Sequence, residues 1–255
     1  MNRWLACIVV ILGTIDAGGL PAASVATLPA VADTTLSAID PNNNMGGHYW
    51  VVVGGTGTGQ PRRGLFQFDI AGNIPAGSTI DAVTLTLVNP SGTAMTGVAF
   101  DLFRAKAAWG EGTKTGTQGL PATIGEATWN NRLHSTTPWA AAGGLAGSDY
   151  AAGASASTTL SGLGTYTWSG PGLKADVQAW LDNAAPNNGW FFISQAEGIS
   201  GSARRFSSRE DTTGTPSLRV DYTAPVPEPA TLAMLLGGAL AGFGYWRARK
   251  RLARP

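Results

Sequence analysis

Residues 81–88, Asp-Ala-Val-Thr-Leu-Thr-Leu-Val, alternate apolar and polar side chains with a period of two. Successive side chains of a β-strand point to opposite faces of the sheet, so Val83, Leu85 and Leu87 share one face and the threonines share the other. A strand with one apolar and one polar face belongs to a sheet that covers a core on one side. The stretch therefore predicts an antiparallel, half-buried strand.

Similar β-rich runs recur at short spacing along the chain. Gly, Pro, Asn and Ser interrupt them, which is typical of turns between short strands. This pattern predicts an all-β fold, an antiparallel β-sandwich of the jelly-roll kind. The predicted strands cover residues 34–39, 49–53, 64–69, 81–88, 98–104, 165–168, 189–194, 204–208 and 217–222.

One short helix is predicted within this β fold. Pro171 suits a first helical turn, and an apolar stripe at positions i, i+4, i+7 and i+8 follows it. The run Pro-Asn-Asn-Gly at residues 186–189 ends the helix. We expect the helix to close one edge or end of the sandwich. The stripe consists of Leu173, Val177, Trp180 and Leu181.

Two Gly-rich segments carry different expectations. Residues 110–161 predict long loops with a short strand over 126–129, and loops of this length often bind a ligand. Residues 53–60, Val-Gly-Gly-Thr-Gly-Thr-Gly-Gln, lack the lysine of a phosphate-binding loop, and no helix follows them. They therefore predict a hairpin loop.

The N-terminus is typical of a secretory signal peptide with a helical apolar core. Arg3 supplies the positive charge, residues 5–12 are apolar, and Ser24-Val25-Ala26 fits the small-residue cleavage pattern. Cleavage is predicted after Ala26, with Ala32 as the alternative, so that residues 1–26 are removed. The chain's single cysteine, Cys7, lies in this segment, and the mature domain over residues 27–224 then has no disulfide.

The C-terminus, residues 225–255, predicts a membrane anchor. Residues 231–246 carry no charge and form a helix of roughly 24 Å, just enough to span a bilayer with aromatic residues at the interface. Residues 247–255 hold five basic and no acidic side chains, so this end stays cytoplasmic. The domain before the transmembrane helix therefore lies across the membrane.

The order of Pro227-Glu228-Pro229, apolar helix and arginine cluster resembles the PEP-CTERM sorting signal. The resemblance implies that exosortase, a membrane protease-transpeptidase, processes the chain near this motif. It also implies export to the cell surface or extracellular matrix of a Gram-negative bacterium.

Five segments in order over residues 33–223 resemble the DNRLRE family of secreted bacterial β-sandwich modules. Some members of that family are classed as carbohydrate-binding modules, so the resemblance implies a jelly-roll-like fold and polysaccharide binding. Residues 114–124 are rich in Gly and Thr and depart from the family's pattern. The five segments are RRGLFQFDIAGNIPAGSTIDAVTLTL (62–87), AKAAWGEG (105–112), EATWNNR (126–132), LKADVQAWLDNAAPNNGWFFIS (173–194) and RRFSSREDTTGTPSLRVDY (204–222).

Charge and motif content exclude several function classes. Residues 33–223 hold eleven basic and fourteen acidic side chains, a net charge of −3, and no basic stripe for nucleic acid. Neither His48 nor His134 has a metal-ligand partner at a suitable spacing. The sequence has no G-x-S-x-G nucleophile elbow, and the mature chain has no cysteine to act as a thiol nucleophile. Glu111 and Glu126 are better explained by structural roles than as a glycosidase pair, so we expect no catalysis and no bound cofactor, with calcium as the alternative.

Polar residues near strand ends have structural interpretations. Arg209, followed by Glu210, is placed to pair with Asp69 or Glu111, and such pairs fix strand register. Four oxygen-bearing side chains near the start of the domain are a calcium alternative, although the same run equally fits a turn. These four are Asp33, Asp40, Asn42 and Asn44.

Seven tryptophans between residues 50 and 190 favour binding, because sugars stack on flat indole faces. Trp168, Trp180 and Trp190 are predicted to be core, and Trp109 and Trp129 to pack under loops. Trp139 and Trp50 are the predicted exposed pair, with Asn131 and Arg132 as polar neighbours of Trp139. The sequence thus predicts a non-catalytic protein that binds or organises extracellular polysaccharide, with a structural spacer as the alternative and a glycan-active enzyme as a third.

Overall fold

The structure, a computed structural model, describes residues 23–91 and 96–226. Residues Ala23–Ala224 form one compact unit. Its strands are β1 (Ala23–Ser37), β2 (Asn43–Asn44), β3 (Trp50–Gly55), β4 (Pro61–Phe68), β5 (Thr79–Asn89), β6 (Val98–Arg104), β7 (Leu120–Pro121), β8 (Asn131–Leu133), β9 (Thr137–Pro138), β10 (Ala156–Leu160), β11 (Gly164–Ser169), β12 (Trp190–Ser194), β13 (Arg204–Ser207) and β14 (Ser217–Thr223), and its helix is α1 (Pro171–Leu181).

Strand β1 belongs to both halves of the sandwich. Its first half pairs with β14, which continues to β5 and β11. Its second half pairs with β4, which continues to β12, β6 and β10. The register shifts between Ala30 and Ala32, where the strand passes from one set of partners to the other, as expected of a bulge that bends a strand. All these pairs are antiparallel, which confirms the predicted all-β class.

The first core lies between the two halves. Val83, Leu85 and Leu87 are buried there, whereas the intervening threonines are only half-buried. The alternation in residues 81–88 therefore predicts the inward face of β5 correctly. Trp168, Trp180 and Trp190 are buried in the same core, as predicted.

Helix α1 covers this core with the predicted apolar stripe, all of which is buried. The structure adds a polar anchor that the stripe does not reveal. Asp176 is also buried, and its Oδ2 accepts a hydrogen bond from Trp190 Nε1 at 2.9 Å. Arg104 lies 3.5 Å from the other carboxylate oxygen, but burial dominates and raises the pKa of Asp176. These contacts fix the helix against β12.

A second core lies on the outer face of β4 and β12. Leu65, Phe191 and Ile193 point away from the first core and are covered by the segment between β6 and β10. Arg63 holds that cover in place, because its guanidinium pairs with Glu197 at 2.6 Å and donates to two backbone carbonyls of the segment. Much of the segment predicted as long loops is therefore a packed layer.

Each of the nine predicted strands overlaps a strand of the structure. The predicted and observed ends differ by at most three residues, except at the start of β1. Strand β1 begins at Ala23, so the compact unit starts four residues before the predicted boundary at residue 27. The predicted strand over residues 126–129 is wrong, because these residues form no strand, and β10 was not predicted. Residues 53–60 form the end of β3, a loop and the approach to β4, which confirms the predicted hairpin.

Within the part of the chain that the structure describes, no helix is long and apolar enough to span a bilayer. The helices predicted for the signal peptide and for residues 231–246 lie outside the described residues.

Candidate ligand groove

Trp139 is buried, so its predicted exposure is wrong. Only 4% of its surface is accessible, and its ring packs edge-on against Phe191 with centroids 5.2 Å apart. Its Nε1 donates to the Thr128 carbonyl at 2.9 Å. The physical reason is the outer face of β12, whose apolar side chains need a cover that the long segment supplies.

Asn131 and Arg132 lie beside Trp139, but they do not frame an exposed indole. Both are half-buried in β8, and Arg132 Nη1 donates to the Ala108 carbonyl at 2.9 Å. Trp50 belongs to β3 and lies in a separate site. The structure therefore does not bring the four predicted glycan-binding residues together on one face.

Trp50 lines a groove of about 680 Å³ at one end of the sandwich. The walls come from β3, the start of β4 and β13, together with loops that include those after β1, β3, β5 and β10. The lining residues are Ile39, His48, Trp50, Val52, Gly55, Thr56, Gly57, Arg62, Pro90, Ser91, Thr117, Leu163, Gly201, Ala203 and Arg205.

Two arginines give this groove a positive charge. The Arg205 guanidinium lies 4.6 Å from the centre of the Trp50 ring, a cation–π contact, and donates to Ser91 Oγ at 3.3 Å. Arg62 donates from Nε to Ser37 Oγ at 3.1 Å. Burial lowers the pKa of Arg62 from its ordinary value, although a guanidinium remains charged. Among the described residues that line the groove, none is acidic.

Aromatic rings extend from the groove to the surface. Tyr49 is 47% exposed, and its ring centre lies 4.4 Å from that of Trp50. His48 packs edge-on against Trp50 at 5.9 Å. Burial, together with the charges of Arg205 and Arg62, lowers the pKa of His48, so the imidazole is neutral at neutral pH. Two fixed cations thus lie in the groove, and the exposed Tyr49 lies beside it against Trp50.

The groove lies at the end of the sandwich opposite Ala23 and Thr223, the first residue of β1 and the last of β14. Ala23 pairs with Thr223, and Thr223 also pairs with Thr79 at the start of β5. Strand β5 then runs to Asn89, next to the groove residues Pro90 and Ser91. Ten residue steps at ~3.3 Å separate the two ends by roughly 33 Å.

Arg209 pairs with Glu111, one of its two expected partners. Its Nε lies 2.6 Å from Glu111 Oε1 and 3.0 Å from Glu210, whereas Asp69 accepts the Gly72 N–H at 3.0 Å and caps a turn. The backbone N–H of Arg209 donates to Asp33 Oδ2 at 2.7 Å. This arrangement ties the loop after β13 to β1 and is structural.

Asp33 makes stability depend on pH. The carboxyl group is almost fully buried, and burial raises its pKa well above the ordinary value, an effect that the Arg209 N–H only partly offsets. The folded state therefore holds a proton that the unfolded chain releases. The stability that this proton gives is complete below the unfolded pKa and is lost as the pH rises through the folded pKa.

Asp33→Asn is expected to remove this pH dependence while an amide oxygen still accepts the Arg209 N–H. The measurement is the free energy of unfolding from about pH 4 to about pH 8. The wild-type advantage over the variant should shrink as the pH rises. A constant difference across that range would contradict the raised pKa of Asp33.

The calcium candidates do not form a cluster of free oxygens. Asn44 Oδ1 accepts the Gly46 N–H at 3.0 Å, and Asn42 Oδ1 accepts from the Asn130 amide at 3.0 Å. Among residues 23–91 and 96–226, no group of three or more His, Cys, Asp or Glu side chains is placed to hold a metal ion. Calcium binding stays a prediction.

Glu111 and Glu126 hold backbone groups in place, as their predicted structural roles require. Glu111 Oε1 accepts the Asp33 N–H at 2.8 Å, and Glu126 Oε2 accepts the Thr123 N–H at 2.7 Å. Lys114 lies 3.3 Å from Glu126, and these contacts lower the pKa of Glu126 despite its partial burial. Both carboxylates thus have structural partners.

Comparison with known proteins identifies the C-terminal segment. Residues 225–250 match the family described as the PEP-CTERM protein-sorting motif. The match does not extend to residues 33–223, so their resemblance to DNRLRE modules stays a prediction, and no curated protein matches the chain. The motif residues 227–229 lie outside the described residues.

The sorting motif identifies the protein as one that is exported, carries a C-terminal membrane anchor before processing, and is sorted by exosortase.

Proposed function

We propose that the exported domain binds anionic extracellular polysaccharide in the groove and performs no catalysis on it. The observation that carries this proposal is the combination of Trp50 with Arg62 and Arg205 in a groove without acidic lining. The groove is positive although residues 33–223 have a net charge of −3. Because the domain as a whole is negatively charged, general electrostatic attraction does not draw polyanions to it. The positive charge of the groove instead favours specific binding of an anionic ligand.

Each part of the groove suits a sugar acid. Exposed aromatic faces such as that of Tyr49 accept the apolar C–H patch of a pyranose ring. Guanidinium groups bind carboxylates through paired hydrogen bonds. Neither Arg62 nor Arg205 forms a salt bridge with a described residue, although the negative charge of Asp40 partly offsets the effect of burial on Arg62. The groove volume falls within the usual range of ligand sites.

The position of the groove fits a protein held by its C-terminus. Thr223 lies at the end of the sandwich opposite the groove, and the sorting signal follows it in the sequence. The last strand of the domain therefore ends away from the groove. The resemblance to DNRLRE modules, some of which bind carbohydrate, supports this assignment. The sorting motif supports a place on the cell surface or in the matrix of a Gram-negative bacterium.

Trp50→Ala and Arg205→Ala are each expected to weaken binding of an oligogalacturonate by about tenfold to a hundredfold. Titration calorimetry on residues 20–226 measures the affinity, and a thermal melt verifies folding. The methyl-esterified oligosaccharide, which lacks the negative charge, should bind weakly and respond little to Arg205→Ala. Arg219→Ala is the matched control, since this arginine is exposed and pairs with Asp221 away from the groove.

Failure of the wild-type domain to bind any acidic oligosaccharide would overturn the proposal and favour the spacer alternative. Equal affinity for the acid and its methyl ester would leave a sugar site but contradict anion selection. Turnover of the oligosaccharide during the titration would favour an enzyme instead.

A further inference from the structure

The start of β1 overlaps the segment that the small-residue pattern assigns to the signal peptide. Residues 23–26 lie opposite residues 220–223 of β14, as four of the seven paired positions between these strands. The Ala26 side chain packs against the first core. These residues are therefore part of the folded domain.

Cleavage after Ala26 would leave part of β14 with one neighbour. Strand β14 lies between β1 and β5, so residues 220–223 would keep only their pairing with β5. Their remaining backbone groups would form a new open sheet edge, which is a liability for aggregation. Cleavage after Ala32 would remove all seven paired positions and also cut into the pairing with β4.

We infer that signal peptidase cleaves upstream of β1, at the bond between Gly19 and Leu20. The enzyme requires small residues at positions −1 and −3 from the cut. Between Leu12, where the apolar run ends, and Ala23, only this bond has both, with Ala17 at −3 and Gly19 at −1. Hydrolysis adds the hydroxyl of water to the Gly19 carbonyl and a proton to the Leu20 amine. The mature chain then begins Leu-Pro-Ala-Ala and keeps all of β1.

The test is N-terminal sequencing and intact mass of the exported protein, made from the full chain with its own signal in a Gram-negative host. The expected first residues are Leu-Pro-Ala-Ala. Thr-Leu-Pro-Ala would show cleavage after Ala26 and would overturn the inference, as would any other first residue.

A matched pair of variants tests the same bond independently. Gly19→Val places a branched residue at −1 and should cause uncleaved precursor to accumulate or move the cut. Ala26→Val disables the alternative site with a residue that suits a strand, and it should leave the cut unchanged. The reverse pattern, with Ala26→Val blocking processing and Gly19→Val having no effect, would overturn the inference.

The melting temperature tests what residues 23–26 contribute to the folded domain. A domain that starts at Thr27 should melt about 2–4 °C below one that starts at Leu20, because it lacks four ladder positions. Equal melting temperatures would remove the structural reason for an upstream cut.

Discussion

Leu85→Asp is expected to unfold the domain. Leu85 has no accessible surface, and its strand, β5, lies between β14 and β11 with Leu218 and Trp168 as its paired neighbours. An aspartate there would place an unpaired charge in the first core. Such a charge costs more than ~4–5 kcal/mol, the upper end of single-substitution effects and a large part of the stability of a typical domain.

Thr84→Asp is the matched control on the same strand. Thr84 is half-buried on the outer face and lies opposite Arg219 of β14, so an acidic side chain there has a basic neighbour. Circular dichroism and a thermal melt should show a folded control and an unfolded Leu85→Asp variant. A cooperative melt of Leu85→Asp near the wild-type temperature would mean that the faces of β5 are reversed.

Local alternation predicted most strands because each strand of this fold shows one face to a core. Alternation does not reveal the start of β1, because its first residues, Ala-Ser-Val-Ala, match the small-residue pattern at the end of a signal peptide. Their strand conformation depends on β14, which lies almost two hundred residues away along the chain. A local pattern contains no information about such a partner.

Long-range pairing also explains why the sequence does not predict the groove. Trp50 was predicted as an exposed glycan-binding residue, and Arg205 joins it only because β13 pairs with β3 and places Arg205 opposite Val52. Arg62 reaches the groove from β4, through the hairpin after β3. In the sequence, both arginines belong to Arg-Arg pairs, and nothing local shows which member faces the groove.

The second core is the largest departure from the predicted structure. A Gly-rich and Ala-rich segment has no apolar periodicity, so Trp139 was predicted to face solvent. The sheet behind it decides otherwise, because Phe191 and Ile193 form an apolar outer face on β12. A strand that is apolar on both faces, as Trp190–Ser194 is, was the available signal that a covering layer exists.

Trp139→Ala is accordingly expected to destabilise the domain by about 3–5 kcal/mol, the usual cost of truncating a buried aromatic residue. The substitution removes the ring contact with Phe191 and the hydrogen bond to the Thr128 carbonyl. Chemical denaturation of the wild type and the variant gives the free energy of unfolding. Under conditions where the variant is folded, its affinity for an acidic oligosaccharide should equal that of the wild type, since Trp139 is not among the groove residues.

Trp139→Phe separates packing from hydrogen bonding at this position. Phenylalanine keeps a ring against Phe191 but leaves the Thr128 carbonyl without its donor, so the loss should be smaller, about 1–3 kcal/mol. If Trp139→Ala instead leaves stability unchanged and abolishes binding, the covering segment is open in solution and the ligand site lies there. The opposite result, a large loss of stability with no loss of affinity, would assign Trp139 to the second core. Trp50→Ala should show the reverse, a loss of affinity in a domain that still folds, so the same two measurements distinguish the two tryptophans.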